Sequence, residues 1–309
     1  MVKKSNPKAN PAPKPELLPP TNDVVFKHVF GDERNKGVTA KLLSAILGTE
    51  IGEADLTFGD PHLNREFIDD KLGILDMLVK LKNGETVAVE MLTGNFSHIH
   101  KRVEYYISKV VAAQLAKSND YPKLKPVVFI LIATDPVLKN TAKYHSEFAM
   151  MEKSEHYVLH DLRTLHIIEL SKLPPQSSGR LVSWLRFISA QRKEELMELV
   201  KENPELKYAC NALEEVNSTA EVRALYEVDL KRWRDERDRT DYAVNEALRK
   251  AEQKAEQKAE KIRQKTEKAL TAERKKAEVA AQRKVEKALA LVEQGYSADK
   301  IRTMLSQKH

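Results

Sequence analysis

The sequence predicts an α/β domain with element order α, β, β, β, α, β, followed by an all-helical C-terminal region that contains one long charged helix. Three observations carry this prediction. Two strongly strand-like runs, 72–82 and 85–92, flank Asn83-Gly84 and read as a hairpin. Val127 to Ile132 is an unbroken apolar run suited to a buried strand, reached from the hairpin through a helix over 97–117. No Pro or Gly interrupts the chain from Thr219 to Glu293, where Ala, Glu, Lys, Arg and Gln dominate.

Each element follows from local chemistry. Residues 1–20 hold six prolines and several lysines and have almost nothing to bury, so a disordered tail is expected there. It could touch nucleic acid electrostatically or only solubilise the chain. The folded domain is expected over 21–173. Val24, Val25, Phe26, Val29 and Phe30 recur at helical spacing, with Thr21, Asn22 and Asp23 as cap candidates and Gly31 as the stop. A second helix runs from about Gly37 to Leu47 and ends at Gly48. Ile51 to Phe58 reads as a weak strand, 141–152 as helical, and Leu165 to Glu169 as a further strand. The sheet thus begins as a meander and ends with a crossover.

Leu173 to Gly179 has linker composition, so 174–218 is expected to be a linker and helical extension. Within it Trp184, Leu185 and Ile188 face the core. The region 219–309 is expected to form the long helix and, after Gly295 and the cap Ser297, a short terminal helix. From Ala251 the long helix repeats Ala-Glu-Gln-Lys every four residues, which pairs charges along its surface but builds no heptad seam.

Composition removes several function classes. Hydrophobic residues make up 41% and charged residues 32%, above the roughly 25% charged usual for globular domains, so part of the chain buries no core. The net charge of +6 divides into +3 for 1–20, +8 for 231–309 and −5 between them, so the basic excess lies at the two ends. The single cysteine, Cys210, excludes an internal disulfide and any zinc site needing two cysteines, which fits a reducing cytoplasm. Dinucleotide, P-loop, H-E-x-x-H and G-x-S-x-G motifs are absent. The expectation is a soluble, cytoplasmic, bacterial protein with no membrane segment.

The hairpin holds the chemistry. A two-residue turn at Asn83-Gly84 would place Asp76 opposite Met91, with Glu90 on the other face. A three-residue turn, Lys82-Asn83-Gly84, places Leu81 opposite Glu85 and Asp76 opposite Glu90. The apolar pattern selects the second, because Leu75, Met77, Val79, Leu81, Val87, Val89 and Met91 then share one face. Asp76 and Glu90 meet on the other. Paired carboxylates on neighbouring strands suit a hard cation such as Mg2+, although charged residues also line the exposed face of many sheets.

The residues that resemble a known family are Asn22-Asp-Val-Val-Phe-Lys-His-Val-Phe-Gly31, Asp70-Lys-Leu-Gly-Ile-Leu-Asp76, Asn83-Gly-Glu, Val89-Glu90, Lys101-Arg102, Tyr105-Tyr106, Tyr121 and Leu124-Lys-Pro-Val127. As an ordered set over about 20–173 they resemble the recombination-promoting nuclease and transposase family of the PD-(D/E)XK nucleases. Trp184-Leu-Arg-Phe and parts of the helical region resemble that family's C-terminus. The resemblance implies a restriction-endonuclease-like core and Mg2+- or Mn2+-dependent cleavage of DNA, with Asp76 and Glu90 as catalytic metal ligands.

One position departs from the family pattern. Where Glu-x-Gln or Glu-x-Lys is usual, this chain reads Glu90-Met91-Leu92, and Leu92 cannot hydrogen-bond a water or a phosphate. Lys80 shares the face of Asp76 but lies roughly 13 Å along the strand at ~3.3 Å per residue. Lys71, Lys101 and Arg102 are the remaining basic candidates for phosphate contact. His98 and His100 diverge at i, i+2 on a helix and read as solvent-facing, at least one of Tyr105 and Tyr106 as core, Asp23 as a cap, and Cys210 as a buried small residue. Two functions remain: a metal-dependent DNA endonuclease, or a catalytically impaired DNA-binding or scaffolding protein of the same fold. The long helix is a candidate for homo-oligomer assembly in either.

Overall fold

The computed structural model describes residues 17–60, 75–94, 98–115, 120–175 and 178–306. The chain divides into two units, 1–231 and 232–309.

In the first unit, α1 (Asp23–Phe30) opens on Asn22, whose side-chain oxygen accepts from the N–H groups of Val24 and Val25. Of the three cap candidates the structure selects Asn22, which frees the Asp23 carboxylate for other contacts. Helix α2 (Lys36–Leu47) stops at Gly48, whose φ of 68° is the left-handed conformation expected after a helix. Strand β1 is only Leu56–Phe58, because the first half of the weak strand expected over 51–58 contains a single helical turn at Glu53–Asp55. Then follow β2 (Met77–Leu81), β3 (Thr86–Leu92), α3 (Ile99–Ala112) and β4 (Val127–Ala133). The order α, β, β, β, α, β is therefore present, with α1 and α2 both preceding the meander.

The helix expected over 141–152 is a correction. His145–Ala149 is instead strand β5, antiparallel to β6 (Arg163–Glu169). Helix-compatible residues such as Glu147 and Ala149 are held extended by the ladder to β6, so tertiary pairing overrides local propensity. Diagonally across that ladder a ring nitrogen of His145 lies 2.9 Å from one of His166. Helices α4 (Arg180–Ser189), α5 (Lys193–Glu202) and α6 (Lys207–Ser218) complete the unit with the start of α7 (Ala220–Glu293).

The sheet order is β1-β2-β3-β4-β6-β5, antiparallel from β1 to β3 and parallel from β3 through β4 to β6. One face carries Met77, Val79, Val87, Val89, Ile130 and Ile168 into a core with α1, α2, α4, α5, α6 and the first turns of α7. The opposite face carries Leu78, Ala88, Leu92, Phe129 and Leu131 against α3. Leu75, expected with Met77, joins this second cluster instead, because it precedes the strand proper. Leu17 and Leu18 also depart from expectation: both are buried, and the Leu18 N–H donates to the Asn217 side chain at 2.7 Å. Two adjacent leucines supply the apolar area that the proline-rich residues before them lack.

In the second unit, α7 continues without a break to Glu293, Gly295 adopts φ 78°, and α8 spans Ala298–Ser306. No described helix is long and apolar enough to cross a membrane.

Candidate active site

The hairpin adopts the three-residue turn. The Gly84 N–H donates to the Leu81 carbonyl and the Leu81 N–H to the Glu85 carbonyl, both at 2.8 Å, with Gly84 at φ 94°. Met77 pairs with Val89 and Lys80 with Thr86, and one further step of that register sets Asp76 opposite Glu90. Both carboxylates are buried, Asp76 at 8% exposure and Glu90 at 6%, so they do not belong to an exposed polar sheet face. The Met91 N–H donates to Asp76 Oδ2 at 2.6 Å.

The ends of two helices close around this pair. The Thr93 hydroxyl donates to the Thr21 carbonyl at 2.7 Å, which ties the start of α1 to the end of β3. Lys27, one turn into α1, lies 2.9 Å from Asp23 Oδ1 and 3.1 Å from Asp76 Oδ1. From α3, Arg102 approaches Glu90 Oε2 at 3.7 Å while its guanidinium lies over the Tyr106 ring. Among the described residues, Glu90 Oε1 is buried with no hydrogen-bond partner.

Electrostatics follow from burial. Desolvation raises Asp76 well above the ordinary carboxyl range, helped by a hydrogen bond to Asp23 and the charge of Glu90; Lys27 opposes this without reversing it. A carboxyl–carboxyl hydrogen bond requires a proton on one partner, which agrees with a raised Asp76. Burial lifts Glu90 to about 7, against the pull of Arg102 and Lys27. Burial alone would lower Lys27, but Asp76 and Asp23 outweigh it and raise it.

The other candidates fall into place around this cluster. Lys101, His98 and His100 are exposed, and so is Lys80 on β2. Lys71 lies outside the described residues. Tyr106 is buried against the sheet and Tyr105 is 40% exposed. Leu92 shares the sheet face of Ala88 and is packed with Leu75, Leu78, Ile99 and Val103, so the departure from the motif is filled by apolar contact. Cys210 is half-buried, and burial pushes its thiol up to about 11. Lys27 was not singled out from sequence. Its i, i+4 spacing to Asp23 was legible, but the approach of α1 to Asp76 was not.

Two all-oxygen side chains, one with an unpaired buried oxygen, fit a hard divalent cation. Among the described residues no group of three or more His, Cys, Asp or Glu is arranged to hold a metal, so the pair is what those residues offer. The described residues thus form an α/β protein, a mixed six-stranded sheet with helices on both faces and two buried carboxylates paired across its hairpin. Residues 20–243 match the family model of the PD-(D/E)XK nuclease family transposases, and the chain belongs to that family. Comparison with curated proteins and with solved structures gives no match.

Proposed function

We propose that the chain is a divalent-metal-dependent DNA endonuclease, hydrolysing phosphodiesters in recombination or mobile-element activity, with Asp76 and Glu90 holding Mg2+ or Mn2+. The observation that carries this reading is Glu90 Oε1. A buried acceptor left unpaired costs about 1–3 kcal/mol, and a bound cation would remove that cost. The ion, when bound, would orient a phosphate and lower the pKa of an attacking water. The chain's own groups do the rest. The Met91 N–H fixes the Asp76 carboxylate, Lys27 offsets the negative charge gathered by Asp23, Asp76 and Glu90, and Arg102 presents planar donors suited to a phosphate. Lys101, on the same turn of α3, is a second candidate for phosphate contact.

A second reading, a DNA-binding or scaffolding protein with an impaired site, is supported by Leu92, which offers no hydrogen bond where the family pattern supplies one. Nicking of supercoiled plasmid separates the two. The endonuclease reading expects metal-dependent conversion to open circles that Asp76→Ala abolishes. Absence of cutting by the wild type under Mg2+ and Mn2+, with DNA binding retained, establishes the second.

A further inference from the structure

Helix α3 packs its apolar stripe, Ile99, Val103 and Val110 among it, on the sheet and turns a basic flank away from it. At about 100° per residue, Lys101, Tyr105, Lys109 and Arg102 fall within one arc of about 100°. No acid shares that arc. Glu104, the only acidic residue of α3, lies about 60° outside it, where Arg163 of β6 pairs with it and the Ser108 hydroxyl donates to it. The flank begins at the carboxylate pair, since Arg102 is the residue 3.7 Å from Glu90 Oε2, and it continues to Lys109 about 10 Å further along the helix at ~1.5 Å per residue.

Tyr105 sits in the middle of this flank, with Lys101 one turn before it and Lys109 one turn after. Its side chain is not needed by the core: Tyr105 is 40% exposed, whereas the neighbouring Tyr106 is buried against the sheet. The Lys109 ammonium lies 4.9 Å from the Tyr105 ring centroid, and the Arg102 guanidinium 5.4 Å from that of Tyr106. An accessible aromatic ring bracketed by cations is the pattern that tracks a single strand, in which the cations follow the phosphates and the ring stacks on a base.

We propose that this flank of α3 binds an unpaired stretch of DNA strand beside the carboxylate pair, with one base stacked on Tyr105 and the strand's phosphates on Lys101, Arg102 and Lys109. Charge complementarity selects a polyanion, and the ring selects among polyanions. Inside a duplex each base face is covered by its neighbours, so only an unpaired base offers a face to Tyr105, and an acidic polypeptide offers none. When a base takes the ring, Lys109 moves off it and on to the adjoining phosphate. Continuity with Arg102 leads the same strand to Asp76 and Glu90, so the preferred substrate is DNA with an unpaired segment at the position to be cut. The proposal rests on the reading of DNA as the substrate, but not on the chain's capacity to cleave it.

The test is binding of the full chain, in a chelator so that nothing is cut, to a fluorescent oligothymidylate of about twenty nucleotides and to a duplex of the same length, followed by anisotropy. Tyr105→Ala should weaken binding of the single strand about tenfold and leave the duplex unchanged, while Tyr105→Phe should bind as wild type does. Lys101→Gln with Lys109→Gln should lower the salt slope for the single strand by about 1.4, two phosphate contacts at ~0.7 each. Circular dichroism checks that each variant is folded. A second measurement is indifferent to electrostatic binding by the basic ends of the chain: an oligothymidylate carrying 5-iodouracil, irradiated in the complex, should cross-link at Tyr105. Equal losses for single strand and duplex in Tyr105→Ala, no loss for either, or a cross-link that maps elsewhere overturns the proposal. A wild type that nicks plasmid under Mg2+ but binds without regard to Tyr105 overturns it and leaves the endonuclease reading standing; one that binds the single strand through Tyr105 but never cuts does the reverse.

Discussion

Asp76 Oδ2 accepts its hydrogen bond from the backbone of Met91, the residue after Glu90, rather than from a side chain. The two carboxylates are therefore coupled through the main chain of β3. A substitution at Met91 leaves that link intact, whereas one that shifts the hairpin register breaks it and moves both carboxylates together.

The burial of this pair makes metal-free stability depend on pH. Glu90 is raised from an ordinary 4.5 to about 7 and Asp76 is raised as well, so the folded chain binds these protons more tightly than the unfolded chain. Stability from Glu90 is complete below about pH 4.5 and is lost as pH rises through about 7, on the order of 3 kcal/mol. His145 and His166, lowered chiefly by burial, act oppositely: their contribution is present above about 6.5 and lost as pH falls. Urea unfolding in a chelator from pH 5 to pH 8 should show the decline, and Glu90→Gln should flatten it. An unchanged slope in that variant refutes the assignment.

Lys27→Met removes the cation beside Asp76, which is nearly buried. Breaking such a pair costs about 3–5 kcal/mol where both groups are buried; Lys27 is one-third exposed, so about 2 kcal/mol is expected, or ~4–8 °C in melting temperature. The same change removes a positive charge that competes with a metal ion for Asp76 and should enlarge the upward shift produced by Mg2+. A smaller Mg2+ shift than in wild type would mean that Lys27 supports the metal site rather than competing with it.

Leu92→Gln puts an amide into a cluster with Ile99 and Val103 and is expected to destabilise the fold by about 1–3 kcal/mol. Per folded molecule it should raise metal-dependent cleavage, since a preorganised donor contributes about 3 kcal/mol, on the order of 100-fold. Single-turnover cleavage, normalised to the folded fraction, reads both effects. A rate equal to wild type would show that another group already positions the water.

Truncation separates the two parts of α7. Val222 and Tyr226 are buried in the core, and the Asn22 side chain donates to Asp229 at 2.9 Å. A chain ending at residue 243 should keep the melting temperature of the globular unit, while one ending at 219 should lose several degrees. Equal melting temperatures for the two would remove the start of α7 from the stability of the core.

The hairpin was legible because parity and turn chemistry agreed: only one register puts Met77, Val79, Val87 and Val89 on a common face, and Gly84 accepts the positive φ that this register needs. The helix limits at Gly31, Gly48 and Gly295 were legible for a similarly local reason. Strand β5 was not, since His-Ser-Glu-Phe-Ala has no strand signature and is extended only because β6 lies beside it. Lys27 escaped notice for the same kind of reason, as its partner is 49 positions away in sequence.

Strand β3 is hydrogen-bonded on both sides from Val87 to Val89 and buried along its whole length, so its amides should exchange with solvent only when the entire unit opens. Glu90, paired next to Leu131, inherits that slow clock. Arg102 stands on a helix surface at 42% side-chain exposure, where rotamers turn over in nanoseconds or less. The site thus joins an acid half that stays still for as long as the protein remains folded to a basic half that can sample an incoming strand many times before it settles.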